Sequence, residues 1–341
     1  MEKIAEALQK QLAEGKNSVL VTIIDQAGSA PRGQGTQMLV GADGLLAGTV
    51  GGGAIEASAI ARAGELPPHR ESAEISYDLS GEDKADLGMV CGGGVTLLFT
   101  PLPAADENVR SVADLLAISI RENRQGFIRL GLTDGSLGLL DEDGNALTGG
   151  VTKEDVKDVG YGGRTQGGCF ILPIPLKQRV ILCGGGHVAQ SLVPVLTGVD
   201  FRVTVAESRR EFAREELFPT AERVQLVEYT RLADYIDLQR SDFIVIMTHG
   251  HIHDYILQEQ LLRDDYAYIG VMGSRRKIAA VNEKLAAAGI SREAMEKVHT
   301  PIGAAIGAAT PAEIAISVAA ECIAVRAERR KLIGRACPST L

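Results

Sequence analysis

Residues 179–198 read RVILCGGGHVAQSLVPVLTG: a short apolar run, three glycines and a helical pattern. Small residues between a strand and a helix let the backbone approach a phosphate, and the N–H groups of the helix start can bind it. Gly184-Gly185-Gly186-His187-Val188-Ala189 fits G-x-G-x-x-G/A, and Glu207 closes the next apolar run, 21 residues beyond Gly186. Glu207 could accept hydrogen bonds from ribose hydroxyls, whereas Arg209 and Arg210 could favour an additional phosphate. The pattern also suits a turn of this fold with no nucleotide. Cys183 ends the strand and reads as a buried small side chain.

The same grammar continues downstream. Apolar runs at RVTVAE (202–207), VQLVEY (224–229), DFIVIMT (242–248) and YAYIGVMG (266–273) alternate with helical stretches. Strands alternating with helices at this spacing imply a parallel sheet wound by right-handed crossovers. Two turns after strands carry polar residues where such sheets bind ligands. Thr248-His249-Gly250-His251-Ile252-His253-Asp254 comes close to a zinc-binding pattern, but with its final Asp and His reversed. His249, His251 and His253 could hold a metal if the segment were extended, and they spread apart if it turns helical at once. Without a metal, His249 faces a ligand at the cleft. Gly273-Ser274-Arg275-Arg276-Lys277 places three cations in the first turn of a helix, against its dipole. That placement makes sense if an anion sits there. His299-Thr300-Pro301-Ile302-Gly303 reads as a loop able to close over the same cleft. Thr310, Pro311 and Glu313 form a capping box for a final helix.

The first half is irregular. A helix at the start, ended by Gly15, precedes the β-rich SVLVTIID (18–25); hairpins follow around Ala42-Asp43-Gly44 and at Asp134-Gly135 and Asp143-Gly144. Gly51-Gly52-Gly53 opens a helix that carries Glu56 in its first turn. A second CGGG occurs at Cys91-Gly92-Gly93-Gly94. It lies outside the strand–turn–helix grammar, and its glycines leave the Cys91 thiol little cover, which suits a thiol that meets a ligand. Backbone N–H groups of the triple glycine, with Arg32 and Cys91, would make a pocket tolerant of anions and sulfur. The expected class is α/β: an N-terminal α+β domain over 1–150, a linker over 151–178, and a Rossmann-like doubly wound parallel-sheet domain over 179–341.

Composition limits the partners. The chain has 341 residues, a formal net charge of −9 and five cysteines, odd in number and widely spaced. The charge disfavours nucleic acid. No apolar stretch approaches the ~20 residues of a membrane span. With no signal-peptide pattern and no disulfide framework, a cytoplasmic location with reduced thiols is expected. A homodimer is the expected assembly.

The sequence resembles the XdhC/CoxI family of xanthine dehydrogenase accessory factors over nearly its whole length. The resemblance rests on GSAPRGQGTQMLV (28–40), DGLLAGTVGGGAIE (43–56) and MVCGGGV (89–95), then on GGGHVAQSL, MTHGHIHD, IGVMGSRRK and HTPIGAAIGAATPAEIAISVAAE. It implies a protein that binds molybdenum cofactor (molybdopterin), holds it while a cysteine desulfurase supplies a sulfido ligand, and inserts it into a xanthine dehydrogenase-like molybdenum hydroxylase. The implied cofactor-binding residues are Ser29, Arg32, Gly51, Gly52, Gly53 and Glu56 in the first half, and Gly92 and Gly93, which expose Cys91, are candidates beside them. In the second they are Gly184, Gly186, His187, His249, Gly273, Ser274 and Arg275, to which the spacing read above adds Glu207. Cys91 is the implied sulfur or molybdenum contact. The chain departs from the pattern in CGGGH, where an Ala between the glycines is usual, and in the extra histidines of HGHIHD. The readings left beside it are an NAD(P)-dependent oxidoreductase, with His187 or His249 as proton donor, and a metal-dependent hydrolase.

Overall fold

SVLVTIID carries apolar residues at both odd and even positions because its strand is covered on both faces. In the computed structural model it becomes β1 (Ser18–Ala27), buried over its first seven residues. Residues 1–28, 32–66, 71–78, 93–149, 153–273 and 275–335 are described, without side chains at 78, 275–277 and 330–335. The chain divides into two units, Met1–Leu176 with Arg330–Leu341, and Lys177–Arg329.

Among the described residues the first unit has two antiparallel sheets. In one, β1 lies between β2 (Gln37–Gly41) and β5 (Gly94–Leu102), with β3 (Gly44–Gly48) and β4 (Ala73–Asp78) at the edges, in the order β3-β2-β1-β5-β4. The period of two divides its residues. Val21, Ile23, Met38, Val40, Leu97 and Phe99 pack with Ile55, Ala59 and Ala63 of α2 (Gly53–Glu65). Leu20, Ile24, Leu39, Leu98 and Leu102 face a second core with α1 (Glu2–Ala13) and α3 (Glu107–Arg121). The other sheet, ordered β7-β6-β9-β8, combines β6 (Phe127–Gly131), β7 (Leu137–Leu140), β8 (Arg164–Gln166) and β9 (Cys169–Pro173).

The expected linker is corrected here: residues 164–173 are strands of the first unit. Cys169, Phe170 and Ile171 are fully buried. Gly167 and Gly168 have φ of 53° and 77° and join two paired strands as a two-residue hairpin. Only glycine takes two successive left-handed positions cheaply, so this Gly-Gly was the available signal.

The second unit has five parallel strands ordered β12-β11-β10-β13-β14. These are β10 (Gln178–Cys183), β11 (Phe201–Glu207), β12 (Arg223–Leu226), β13 (Phe243–Ile246) and β14 (Tyr268–Val271). Counted from β10, the order is 3-2-1-4-5, that of a Rossmann sheet. One face packs with α4 (His187–Gly198) and α8 (Pro311–Arg335) through Val180, Leu182, Val203, Val205, Phe243 and Val245 against Leu192, Val193, Leu196, Ala315, Val318 and Cys322. The other packs Ile181, Ile244, Ile246 and Ile269 against Leu257 and Leu261 of α5 (His251–Leu261) and Val281 and Leu285 of α6 (Arg275–Ala287). The short helix α7 (Arg292–Glu296) precedes the return to the sheet. The capping box stands as expected: the Glu313 carboxylate accepts from the Ala309 and Thr310 N–H groups at 2.8 and 2.9 Å, and the Glu313 N–H donates to Thr310 Oγ1 at 3.3 Å.

Candidate functional site

The strand order reverses between β10 and β13, so the crevice for a ligand opens at the carboxyl ends of those two strands. Three turns meet at that edge. Gly184, at φ 119°, leaves β10 so close to the chain after β13 that a Cβ would lie 2.4 Å from the Met247 carbonyl oxygen and 3.1 Å from Thr248 Cα. The Met247 N–H donates to the Cys183 carbonyl (2.9 Å), and the Met272 N–H to the Ile246 carbonyl (2.8 Å). The turns Gly184–Gly186, Thr248–Gly250 and Met272–Gly273 therefore lie side by side. Cys183 is fully buried beneath them. Burial, then the charges of Asp254 and Glu207, pushes its thiol up to about 12, so it is scaffold.

Gly186 caps α4, and its first turn begins at His187. The N–H groups there have no helical acceptor of their own, which is what gives such a turn its affinity for anions. Glu207 does not reach outward as a ribose acceptor. Its buried carboxylate takes the Gly185 N–H on Oε2 (2.7 Å) and the Ser208 and Arg209 N–H groups on Oε1 (2.8 and 2.9 Å). The Arg209 guanidinium adds bonds at 3.2 and 2.9 Å and stacks on Phe212, 4.0 Å from the ring centroid. Burial alone would raise the Glu207 carboxyl. The Arg209 side chain and the backbone donors outweigh it and hold the group below the usual carboxylate range.

The histidine loop turns helical at once. α5 begins at His251 after Gly250, so the three imidazoles separate. His249 and His251 are exposed, and His253 packs on Tyr229 with ring centroids 5.4 Å apart. Among the described residues no group of three His, Cys, Asp or Glu could hold a metal. Asp254 was not foreseen. It is buried, and its Oδ1 accepts from Thr248 Oγ1 (2.6 Å) and more weakly from the Thr248 N–H (3.3 Å), fixing the loop that carries His249. Gly273 precedes α6, Ser274 lies outside the described residues, and Arg275 opens the helix.

The 299–303 segment runs parallel beside β14, with His299 bridged to Gly270. His299 Nδ1 lies 3.2 Å from Glu321 of α8, which also accepts from Tyr268 Oη (2.5 Å) and the Gly303 N–H (2.9 Å). This segment is thus tied to the final helix.

In the first unit, Gly51, Gly52 and Gly53 have φ of 131°, 75° and 64°, three successive left-handed positions that a side chain would oppose. The turn they make is already filled. Glu56 Oε2 accepts from the Val50 N–H (3.1 Å), the Gly52 N–H (3.2 Å) and the Thr49 hydroxyl, while the Gly51 N–H donates to Thr49 Oγ1 (3.1 Å). The expectation that the Gly51 and Gly52 N–H groups stand open to an anion is corrected accordingly. Arg32 is exposed in a bend. Ser29, Cys91 and Gly92 lie outside the described residues, and Gly93 is buried just before β5. No helix among the described residues is long and apolar enough to cross a membrane.

Comparison with known proteins agrees with this architecture. A profile described as the XdhC Rossmann domain matches residues 180–322, and one described as the XdhC and CoxI family matches residues 11–78. The uncharacterized protein YqeB of Escherichia coli K12 is 24% identical over 308 residues, 90% of this chain; the match spans 43% of that protein's length. A probable xanthine dehydrogenase subunit of Bacillus subtilis 168 is 26% identical over 94% of this chain and 96% of its own. The molybdenum cofactor insertion chaperone PaoD of Escherichia coli K12 is 26% identical over 92% of this chain and 85% of its own. A crystal structure described as a xanthine dehydrogenase from Bacillus halodurans shares the fold, with a TM-score of 0.79 at 23% identity over 96% of each chain. On both profiles, in sequence order and over both units, the chain belongs to the XdhC and CoxI family.

Proposed function

We propose that this protein carries molybdenum cofactor and inserts it into a molybdenum hydroxylase of the xanthine dehydrogenase type. The observation that carries the reading is the likeness to PaoD, which extends over 92% of this chain and 85% of that one. The geometry of the second unit supports it. A molybdopterin phosphate suits the start of α4 at Gly186 and His187 and that of α6 at Arg275, two helix starts on one sheet edge. His249, exposed in the turn whose Met247 and Thr248 lie against Gly184, is the proposed donor to the polar ring of such a cargo.

Cys91 is the proposed molybdenum or sulfur contact. A cysteine desulfurase is the partner that would supply the sulfido ligand while the cargo is held. The protein acts as a homodimer in the cytoplasm under this reading.

The test is a titration with molybdenum cofactor released anaerobically from a donor enzyme, run on the intact protein and on Cys91→Ala, with NAD and NADP as competitors. Saturable binding, weakened at least tenfold by the substitution and indifferent to either nucleotide, is the expected result. Absence of cofactor binding together with thermal protection by NAD or NADP would replace the carrier with an oxidoreductase.

A further inference from the structure

Glu207 occupies the position from which a Rossmann domain holds the ribose diol of a dinucleotide. A carboxylate offers about four lone-pair sites. Here two oxygens already take six hydrogen bonds: Gly185 N–H and Arg209 Nη2 on Oε2, and Ser208 N–H, Ser208 Oγ, Arg209 N–H and Arg209 Nε on Oε1. The carboxylate is 2% exposed, and the guanidinium that covers it is itself held by Phe212. Phe212 closes the arrangement from the other side. Its carbonyl oxygen lies 3.0 Å from where a Cβ on Gly185 would stand, and its N–H donates to the Arg209 carbonyl at 3.0 Å. A diol can reach Glu207 only by displacing Arg209 from both.

We propose that Glu207 and Arg209 form a latch that selects against nucleotides at this turn, so that it takes the phosphate end of a ligand and not the ribose diol of a dinucleotide. Arg209 is the specificity-determining residue, and Glu207 is a positioning residue that holds Gly185 in the conformation the turn needs. The proposal rests on the carrier reading only in taking this turn as the seat of a phosphate. Removing the guanidinium takes away two of the six bonds and the cover. Oε2 then keeps only the Gly185 N–H, so one of its lone pairs opens to solvent and to a diol, while the backbone N–H groups on both oxygens still support the charge.

The experiment compares ADP-ribose, which carries the diol, with inorganic pyrophosphate, which does not, by calorimetric titration of the full chain. Wild-type protein is expected to bind the two within about threefold of each other, or neither measurably. Arg209→Ala is expected to gain at least tenfold for ADP-ribose with no change for pyrophosphate, and Glu207→Gln on that background to remove the gain. Arg209→Lys, which keeps the charge and loses the fork, serves if Arg209→Ala does not fold, with a smaller gain of the same sign. Two results overturn the latch: wild-type preference for ADP-ribose of tenfold or more that Glu207→Gln abolishes, or an unlatched variant that gains nothing for ADP-ribose. A latch that behaves as expected in a protein that binds no molybdenum cofactor would leave the latch standing and remove the carrier. A protein that binds the cofactor and still prefers ADP-ribose through Glu207 would do the reverse.

Discussion

The glycine turn of the first unit and the glycine turn of the second are each filled by a carboxylate of the chain itself, and the two carboxylates arrive by different routes. Glu56 stands one helical turn beyond Gly52 and all three of its bonds end on one oxygen, so it is a local cap on α2. Glu207 comes from the end of the neighbouring strand, uses both oxygens and lies under an arginine. It ties β11 to the β10–α4 turn. The same glycine spelling therefore accompanies a cap in one place and a cross-link in the other. Glycine tells where the backbone bends, and the nearest carboxylate tells whether its N–H groups are open.

Glu207→Ala separates the two most strongly. It leaves three backbone donors and a guanidinium facing a cavity, and costs about 3–5 kcal/mol, seen as a lower denaturation midpoint. Gly184→Ala comes next at about 3 kcal/mol, because its Cβ would meet the Met247 carbonyl oxygen and its φ is left-handed. Gly186→Ala has nothing within 4 Å and should cost less than about 1 kcal/mol. Glu56→Ala removes a cap and costs about 1 kcal/mol. If Glu56→Ala proved as damaging as Glu207→Ala in chemical unfolding, the local character of the first turn would be lost.

Acid offers a further contrast. The Glu207 carboxyl is held below its ordinary value by Arg209 and backbone donors that outweigh its burial. Its contribution is therefore complete above the unfolded value of about 4.3 and is lost as pH falls through the folded value. Unfolding followed from pH 6 to pH 2 should show this loss in wild type, and Glu207→Gln should flatten that part of the curve.

The second unit was legible because β10, β11, β13 and β14 carry buried apolar runs, and the turns after β10, β13 and β14 carry glycines before their helices. The parallel order follows from that grammar. The first unit yielded its hairpins, but β8 and β9 were hidden, since three- and five-residue strands leave too short a period to read. The sites divide differently. Glycines marked all three turns at the sheet edge. The partners of Glu207 and Glu56 escaped, because whether a carboxylate faces a ligand or its own backbone depends on a few ångströms of packing. Asp254 was visible only as the end of a histidine motif, with nothing in its spacing to announce a bond to Thr248.

The order in which the second unit is synthesised gives its last helix a particular burden. α8 supplies Ala315, Val318, Ala319 and Cys322 to the same apolar cluster as Phe243, Val245 and Tyr268, and its Arg326 stacks on Phe201, 4.1 Å from the ring centroid, and donates to the Val199 carbonyl. All five strands leave the ribosome before it does. Until residues 311–326 emerge, that side of β13 and β14 is uncovered, and a nascent chain stalled there presents a sticky sheet to chaperones and to its neighbours on the polysome.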